Sequence, residues 1–587
     1  MNHELIELLQ ALQSEHIYAK KEFTQKSKLP FQQRIELGIA FPPLPVKSIE
    51  DDTISIRVPT HIQLHDGIEQ GDLVSIFPPS SQNISVTGIC SYMDAHSIEV
   101  RVDTSIPTSF LHKTSLCIQL QFDSRSFLLQ EKGLQAAIEH KSPLKDTLLK
   151  NWTLSIPETV KVRPSLNESQ SRAVETFLIA KHLSIIHGPP GTGKTHTIAQ
   201  LCKELRQKNQ RIWVLADSNA AVDHLCSTLT SIALETLRLG SRYRISESSW
   251  DLSIYHRLSV HSFAPALQKI EKDIRVSSGR EKGNLVRQKR ALQKNMKKDI
   301  IEEAYIITST LGTMHKEAAH LPTPDVVIID EASQVTDPSI WSIVPYISKL
   351  LLVGDPHQLG PVVLSQNKRL SSTLLQRKMK EQICPMLNIQ HRMHQNIHSL
   401  VQHIYGPQYI PHPDIAKRSL CQNPIISEDE LTSKQLMWID TTGAEDGEQR
   451  DPVTRSLYNN IEIDWVTRIF HALKRRNIDD IGIITPYSAQ VQRIRNALPN
   501  ADVNTVTSFQ GQERDVIICS FVRSNFDGEL GFVADLERLT VSITRPKKLL
   551  VAIGDASLLS QNSIFSTIFS ILDKQNAWHS IWEVPNW

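Results

Sequence analysis

Leu5, Ile6, Leu8, Leu9 and Leu12 recur at helical spacing, interrupted by Glu4 and Glu7. That period predicts an amphipathic helix, and residues 1–40 read as a helical unit ending toward Pro43-Leu-Pro45. From 41 to about 125 the period changes to two. Runs at 54–58, 73–77, 84–88, 98–102 and 116–120 alternate or carry β-branched residues, with Gly, Pro, Asp and Ser between them. Short strands so spaced predict a small β-barrel. Helical spacing returns at 126–150, and Pro157 and Pro164 mark a linker, so 126–165 reads as a stalk helix and linker. The barrel is then held between two helices. From Leu166 apolar strands alternate with helices, the mark of a parallel sheet. One series of predicted strands lies at 183–187, 211–216, 305–308, 326–329 and 349–353, and a second at 481–485, 516–520 and 549–553. Two series predict two α/β domains, over 166–383 and 384–587, the first carrying a helical insertion at 241–303.

A chain of 587 residues is too long for one core, in keeping with several domains. No apolar run reaches the length of a membrane span, and the acidic residues in the first helix exclude a signal peptide. The seven cysteines are scattered without a C-x-x-C pair. No zinc site or disulfide framework is expected, and a reducing compartment, cytoplasmic or nuclear, fits. Net charge is only +1, so any contact with nucleic acid has to come from local patches. One such stretch runs from Lys269 to Lys298 and includes Lys282, Arg287, Lys289, Arg290, Lys294 and Lys297. It reads either as a solvated helical face or as a basic arm against a phosphate backbone.

The stretch on which the chemistry centres is Gly188-Pro189-Pro190-Gly191-Thr192-Gly193-Lys194-Thr195. It matches G-x-x-x-x-G-K-[ST] and lies between a predicted strand and a predicted helix, the context a phosphate-binding loop requires. Gly191 and Gly193 let backbone N–H groups turn inward around phosphates. Lys194 supplies a point charge, the Thr195 hydroxyl can ligate Mg²⁺, and the helix N-terminus favours anions. Downstream, Asp330 ends a predicted strand, where it can hold Mg²⁺ through water, and Glu331 can orient and deprotonate an attacking water. Gln358, in Gly354-Asp-Pro-His-Gln-Leu-Gly-Pro361, follows the next strand and can sense a γ-phosphate. Such positions at carboxyl ends of parallel strands are where ligands bind. Arg392 and Arg545 could reach the phosphates from the second domain, as arginine fingers do.

Taken in order, these motifs resemble the superfamily 1 helicases of the Upf-like group, in particular the Smubp-type immunoglobulin-mu-binding helicases. Further stretches carry the resemblance: Leu166-Asn-Glu-Ser-Gln170, Ala216 to Asp223, Thr308 to Gly312, Gln390-His-Arg-Met393, the spaced Ser456, Asn459 and Glu462, Ile484 to Gln490, Thr507 to Glu513, and Arg538 to Lys547. The resemblance covers about residues 160–556. It implies two RecA-like motor domains of the P-loop NTPase class with ATP and Mg²⁺ between them, and a monomeric motor tracking single-stranded DNA or RNA 5′ to 3′. By residue, it implies that Gln170, Gln358, His391 and Glu513 contact nucleotide beside the phosphate loop. It places Asn219, Thr310 and Pro486 near the nucleic-acid backbone.

The chain departs from the family pattern at His391, where the family has Tyr, and at Thr507, Thr540 and Pro546, where it has Asp, Asn and Ala. A histidine at 391 is expected to stack on adenine over a smaller area and to titrate near neutrality. The Arg392 charge beside it is expected to favour its neutral form. Two other functions remain open on sequence: a translocase that displaces proteins without unwinding, and a scaffold whose nucleotide site is only a switch. The intact Glu331 and both arginines speak against the scaffold. Backbone tracking leaves DNA and RNA equally possible.

Overall fold

The computed structural model describes residues 2–583, apart from 51, 60, 61, 63–66, 81–83, 103–105, 107–109, 111, 112 and 151. The chain opens with α1 (His3–Ser27) and the short α2 (Phe31–Glu36), then enters a closed barrel. Its strands are β1 (Ala40–Glu50), β2 (Thr53–Arg57), β3 (Leu73–Phe77), β4 (Val86–Met93), β5 (Ser97–Val102) and β6 (Ser115–Leu120), in the order β1-β2-β5-β4-β3-β6. Alternation along β2 and β5 sends Ile54, Ile56, Ile98 and Val100 inward.

The periodicity does not announce β1, because Pro42, Pro43 and Pro45 read as the end of a helical unit. They are accommodated at an irregularity. The β1–β6 register shifts between Phe41 and Leu44, where residues without an N–H cannot keep a ladder. The helical unit itself is shorter than its expected 40 residues.

After β6 come α3 (Arg125–Glu139) and α4 (Pro143–Leu149), then α5 (Glu168–Ile179), which a capping box formed by Asn167 and Gln170 starts. The first motor sheet holds β7 (Leu183–His187), β8 (Ile212–Ala216), β9 (Leu237–Leu239), β10 (Ile306–Thr310), β11 (Val326–Ile329) and β12 (Leu350–Gly354). All six are parallel, in the order β7-β12-β11-β8-β10-β9. α6 (Lys194–Gln207) and α7 (Asn219–Ser231) are crossovers. The insertion folds as α8 (Ile254–Val260), α9 (Ala264–Val276) and the 25-residue α10 (Gly279–Glu303). Only Met296 of α10 is buried, so its charges face solvent. Leu5 and Leu8 of α1 and Leu134 of α3 join Ile185, Leu215 and Leu352 in one apolar cluster. The stalk is thus part of the first motor domain's core.

The second sheet is also six-stranded, in the order β19-β18-β20-β21-β15-β22. Before it lie the short β13 (Ile389–Gln390) and β14 (Ile410–Pro411). Its strands are β15 (Leu436–Asp440), β18 (Ile481–Thr485), β19 (Asp502–Thr505), β20 (Arg514–Ser520), β21 (Pro546–Gly554) and β22 (Trp578–Ser580), and the pair β16 (Gln449–Arg450) and β17 (Leu457–Tyr458) stands apart. Periodicity misses β9, β15, β19 and β22. β9 and β22 have three residues each, and the ladder of β19 is largely polar, so these carry no readable period; β15 is an apolar run of Leu-Met-Trp-Ile without alternation.

Candidate active site

The loop 188–195 joins β7 to α6. Gly191 and Gly193 stand at φ 72° and 78°, the left-handed region that L side chains resist. A methyl at Gly191 would come 2.8 Å from Arg392 Cβ, and one at Gly193 2.9 Å from Gln170 Nε2. Lys194 Nζ donates to the Gly188 carbonyl at 3.0 Å and lies 3.7 Å from Glu331 Oε1. Thr192 Oγ1 donates to the Pro189 carbonyl at 2.7 Å. Gln170 is used on both ends: Nε2 donates to the Thr192 carbonyl at 3.1 Å, and Oε1 accepts from Asn167 N at 3.0 Å. Its amide therefore holds the loop as well as starting α5.

Asp330 and Glu331 follow β11. Thr195 Oγ1 donates to Asp330 Oδ2 at 3.4 Å, and Asp330 Oδ1 accepts from Glu331 N at 2.9 Å. Glu331 sits at φ 50°, a strained conformation for a residue with a side chain. Among the described residues its Oε2 is buried without a hydrogen-bond partner. Burial, then the neighbouring Glu331 charge, push the Asp330 carboxyl up to about 7 against the pull of Lys194. Two crowded carboxylates, one with an orphaned oxygen, beside a hydroxyl and a glycine cradle fit Mg²⁺ and a nucleoside triphosphate. A divalent cation there would draw Asp330 back to its charged form.

The second domain closes this site from above. Arg545 is 2% exposed. Its Nη2 donates to Gln358 Oε1 at 3.1 Å and its Nε to the Val541 carbonyl at 3.0 Å. Among the described residues it has no carboxylate within ion-pair range. Burial, then the nearby Arg392, lower its pKa to about 9. Gln358 Nε2 donates to Asp355 Oδ2 at 2.8 Å, so one amide links Asp355 to Arg545. Arg392 Nε pairs with Glu513 at 2.7 Å, and Lys547 reaches the same carboxylate at 3.1 Å. Burial alone would raise Glu513, yet Arg392 and Lys547 hold it down to about 2. Glu513, implied as a nucleotide contact, is thus bound to the arginine finger candidate.

Neither motif nor period points to Tyr405 and Tyr409. Tyr409 Oη donates to the Pro190 carbonyl at 2.7 Å, and Tyr405 Oη to Asp355 Oδ2 at 2.7 Å. Asp355 is wholly buried. Burial would raise it, but His187, Lys194 and Gln358 hold it down to about 2. His391 N donates to the Gly191 carbonyl at 2.8 Å, and its ring lies 4.9 Å from that of His412. Desolvation, then His412, His196 and Arg418, lower its pKa. The direction matches the expectation from sequence, but Arg392, engaged by Glu513, is not among the causes.

Asn219, Thr310 and Pro486 do not join this cluster. Asn219 opens α7 after β8, and its Oδ1 accepts from Arg238 at 3.0 Å. Thr310 ends β10 and caps the helix Leu311–Glu317. Pro486 directly follows β18. The sheet order explains the division. The loop 188–195, Asp330, Glu331 and Gln358 lie at the ends of the neighbours β7, β12 and β11, and Asn219 and Thr310 at the ends of the neighbours β8 and β10. One edge of carboxyl ends thus carries both groups, side by side. Of the spaced Ser456, Asn459 and Glu462, the last two belong to a buried network in the second domain through Gln490 and Ser520, and Ser456 instead accepts from Ser488 and Ala489. Glu462 accepts from Ser520 Oγ at 2.6 Å and from Val522 N at 2.9 Å.

Family models described as "AAA domain" match residues 165–287 and 268–366, and residues 370–557. DNA polymerase alpha-associated DNA helicase A of Schizosaccharomyces pombe is 32% identical over 84% of this chain and 82% of its own. The chain belongs to the superfamily 1 helicases of the Upf-like group. DNA-binding protein SMUBP-2 of Mus musculus is 30% identical over 85% of this helicase, which spans 54% of that protein. Regulator of nonsense transcripts 1 of Caenorhabditis elegans is 28% identical over 87% of the helicase and 49% of its own length. Among solved structures, arterivirus nonstructural protein 10 (helicase) matches with a TM-score of 0.40 and 12% identity over 92% of this chain and 82% of that one. The helicase is an ATP-dependent enzyme acting on nucleic acid. Among its described residues no helix is long and apolar enough to cross a membrane.

Proposed function

We propose that the protein is a monomeric motor that tracks single-stranded DNA or RNA 5′ to 3′ and hydrolyses ATP with Mg²⁺ between its two sheets. One observation carries this reading: Arg545 of the second domain bonds Gln358 of the first, beside the phosphate loop. Opening the cleft would break that bond, so domain separation and phosphate sensing share one contact. In this reading Gly188 to Thr195 cradle the phosphates and Lys194 neutralises them. Thr195 and Asp330 hold the metal, which supplies charge stabilisation at the transferring phosphoryl group. Glu331 takes the proton from the attacking water through its free Oε2. Arg545 and Arg392 stabilise the transition-state charge, Arg392 after leaving Glu513. His391 lies against the base. Asn219, Thr310 and Pro486 meet the strand backbone, with α10 as an outer basic contact.

The test compares ATP turnover with matched DNA and RNA single strands, then duplex displacement from 5′-tailed and 3′-tailed substrates. Strand-stimulated turnover with displacement only from 5′ tails is expected. Unstimulated turnover, or displacement only from 3′ tails, would refute it. Displacement of a bound protein without duplex opening would favour the remodelling translocase.

A further inference from the structure

Gln358 is followed by a segment anchored in three places. Leu359 is buried in the second domain's apolar cluster with Met393 and Ile397, although the chain there belongs to the first domain. Gly360 N donates to Glu537 Oε2, also of the second domain, at 3.1 Å. Four residues later the chain reaches α1. Leu364 N donates to Glu15 Oε1 at 2.7 Å, and Ser365 N to Glu15 Oε2 at 3.1 Å. Glu15 is 6% exposed, and among the described residues it makes no ion pair. An apolar residue would pack α1 without desolvating a charge. What the carboxylate adds is a directional hold on two backbone amides.

From that hold α1 leads to the barrel. The His16 ring stacks on Phe127 of α3 at 4.7 Å, and Phe23 meets Phe122, just past β6, at 5.8 Å. Arg369 bridges Glu4 of α1 at 2.9 Å and the buried Asp337 at 3.0 Å, which fixes the far end of α1 to the first domain.

We infer that Glu15 is a positioning residue: it ties the segment 358–365 to the stalk, so that movement of the second domain at the nucleotide is passed through α1 to the barrel, in this proposal a further contact for the strand. The segment between the anchors is short. A residue spans at most about 3.3–3.6 Å, and Pro361 stiffens the step between the two anchors. In this proposal a shift of Leu359 and Gly360 with the second domain is carried along this short segment to Leu364 and Ser365 and their bonds to Glu15.

The inference rests on the motor reading above, so wild type is measured in parallel. The readouts are strand-free turnover and ATP KM, the Kd for a labelled oligothymidylate with ADP and with a non-hydrolysable ATP analogue, and ATP consumed per duplex displaced. For Glu15→Ala, strand-free kcat and KM should stay within about twofold of wild type. The ratio of the two Kd values should shrink toward one by about threefold to tenfold, the scale of losing a charge-assisted hydrogen bond, and ATP per duplex should rise. Glu15→Gln keeps the shape and guards against misfolding; it should show the same split, smaller. Glu537→Gln, at the opposite anchor, should repeat it. Variants that keep the wild-type ratio and ATP use overturn the inference, as does a parallel fall in strand-free turnover. A wild-type ratio of one would instead sink the motor reading, and this inference with it.

Discussion

Arg545 is a buried cation with no carboxylate partner among the described residues, and Arg545→Met separates its two consequences. In the nucleotide-free protein its charge is a burden. A pKa lowered from 12.5 to about 9 corresponds to about 5 kcal/mol against the charged form at neutral pH. Against this stand its bonds to Gln358 and to the Gln512 and Val541 carbonyls; their loss leaves Gln358 Oε1 and the Gln512 carbonyl unpaired at roughly 1–2 kcal/mol each, while Val541 keeps the Thr544 amide. Methionine fills much of the same volume. The balance predicts that Arg545→Met stabilises the nucleotide-free protein by about 1–3 kcal/mol. Turnover should move the other way, by about 10³-fold or more, the scale of an arginine finger. Differential scanning calorimetry without nucleotide reads the first effect and steady-state hydrolysis the second. Since the second domain is a unit of about 200 residues, its unfolding should rise by a few degrees, at roughly 2–4 °C per kcal/mol. A variant less stable than wild type would show that Arg545 is a structural residue satisfied by its carbonyls. Turnover within about tenfold of wild type would remove it from the chemistry.

Four further expectations follow from the same geometry. Lys194→Ala should weaken ATP binding and abolish hydrolysis, whereas Glu331→Gln should bind ATP normally and lose turnover, because the amide cannot take a proton; near-normal turnover in Glu331→Gln would rule out the role given to its free oxygen. His391 has a lowered pKa, so it is neutral from pH 7 upward. The ATP KM should be flat from pH 7 to 8 and change only below about 6.5, and His391→Tyr should tighten ATP by a few tenths to about 1 kcal/mol; an unchanged KM and pH profile in both His391→Tyr and His391→Ala would take the ring off the base. Glu462 is pushed by burial up to about 8 from 4.5. Its folded pKa exceeds its unfolded one, so stability is greatest below about 4.5 and falls until pH passes about 8, by at most roughly 1.4 kcal/mol per unit. Chemical denaturation of Glu462→Gln should show that slope reduced, and an unaltered slope would place the titration elsewhere. Replacing Lys289, Arg290, Lys297 and Lys298 together by Ala should flatten the salt dependence of strand binding, with Lys289 contributing least because Glu271 already pairs with it at 2.8 Å; an unchanged slope would make α10 a solvated face.

The parts legible in the sequence are those whose physics is local. Gly191 and Gly193 announce a phosphate cradle because glycine accepts that backbone without strain, and Lys194 and Thr195 come with it by covalent adjacency. Asp330 and Glu331 are readable because an apolar run aims them at a strand end. Barrel and sheets show through wherever side chains alternate or repeat, and fail where the ladder is short or polar, as in β9 and β19, or where prolines imitate a boundary, as in β1. Nothing local says that Tyr409 would reach the Pro190 carbonyl, that Glu513 would hold Arg392, or that Leu359 would be buried in the other domain. Those pairings join residues from 121 to 219 positions apart or whole domains; the fold of the second domain brings Glu513 to Arg392, and only the closing of one sheet over the other creates the other two. Periodicity marks a buried face but not what covers it, so the chemistry of each half-site was written in the chain, and its completion across the cleft was decided by the packing of two domains.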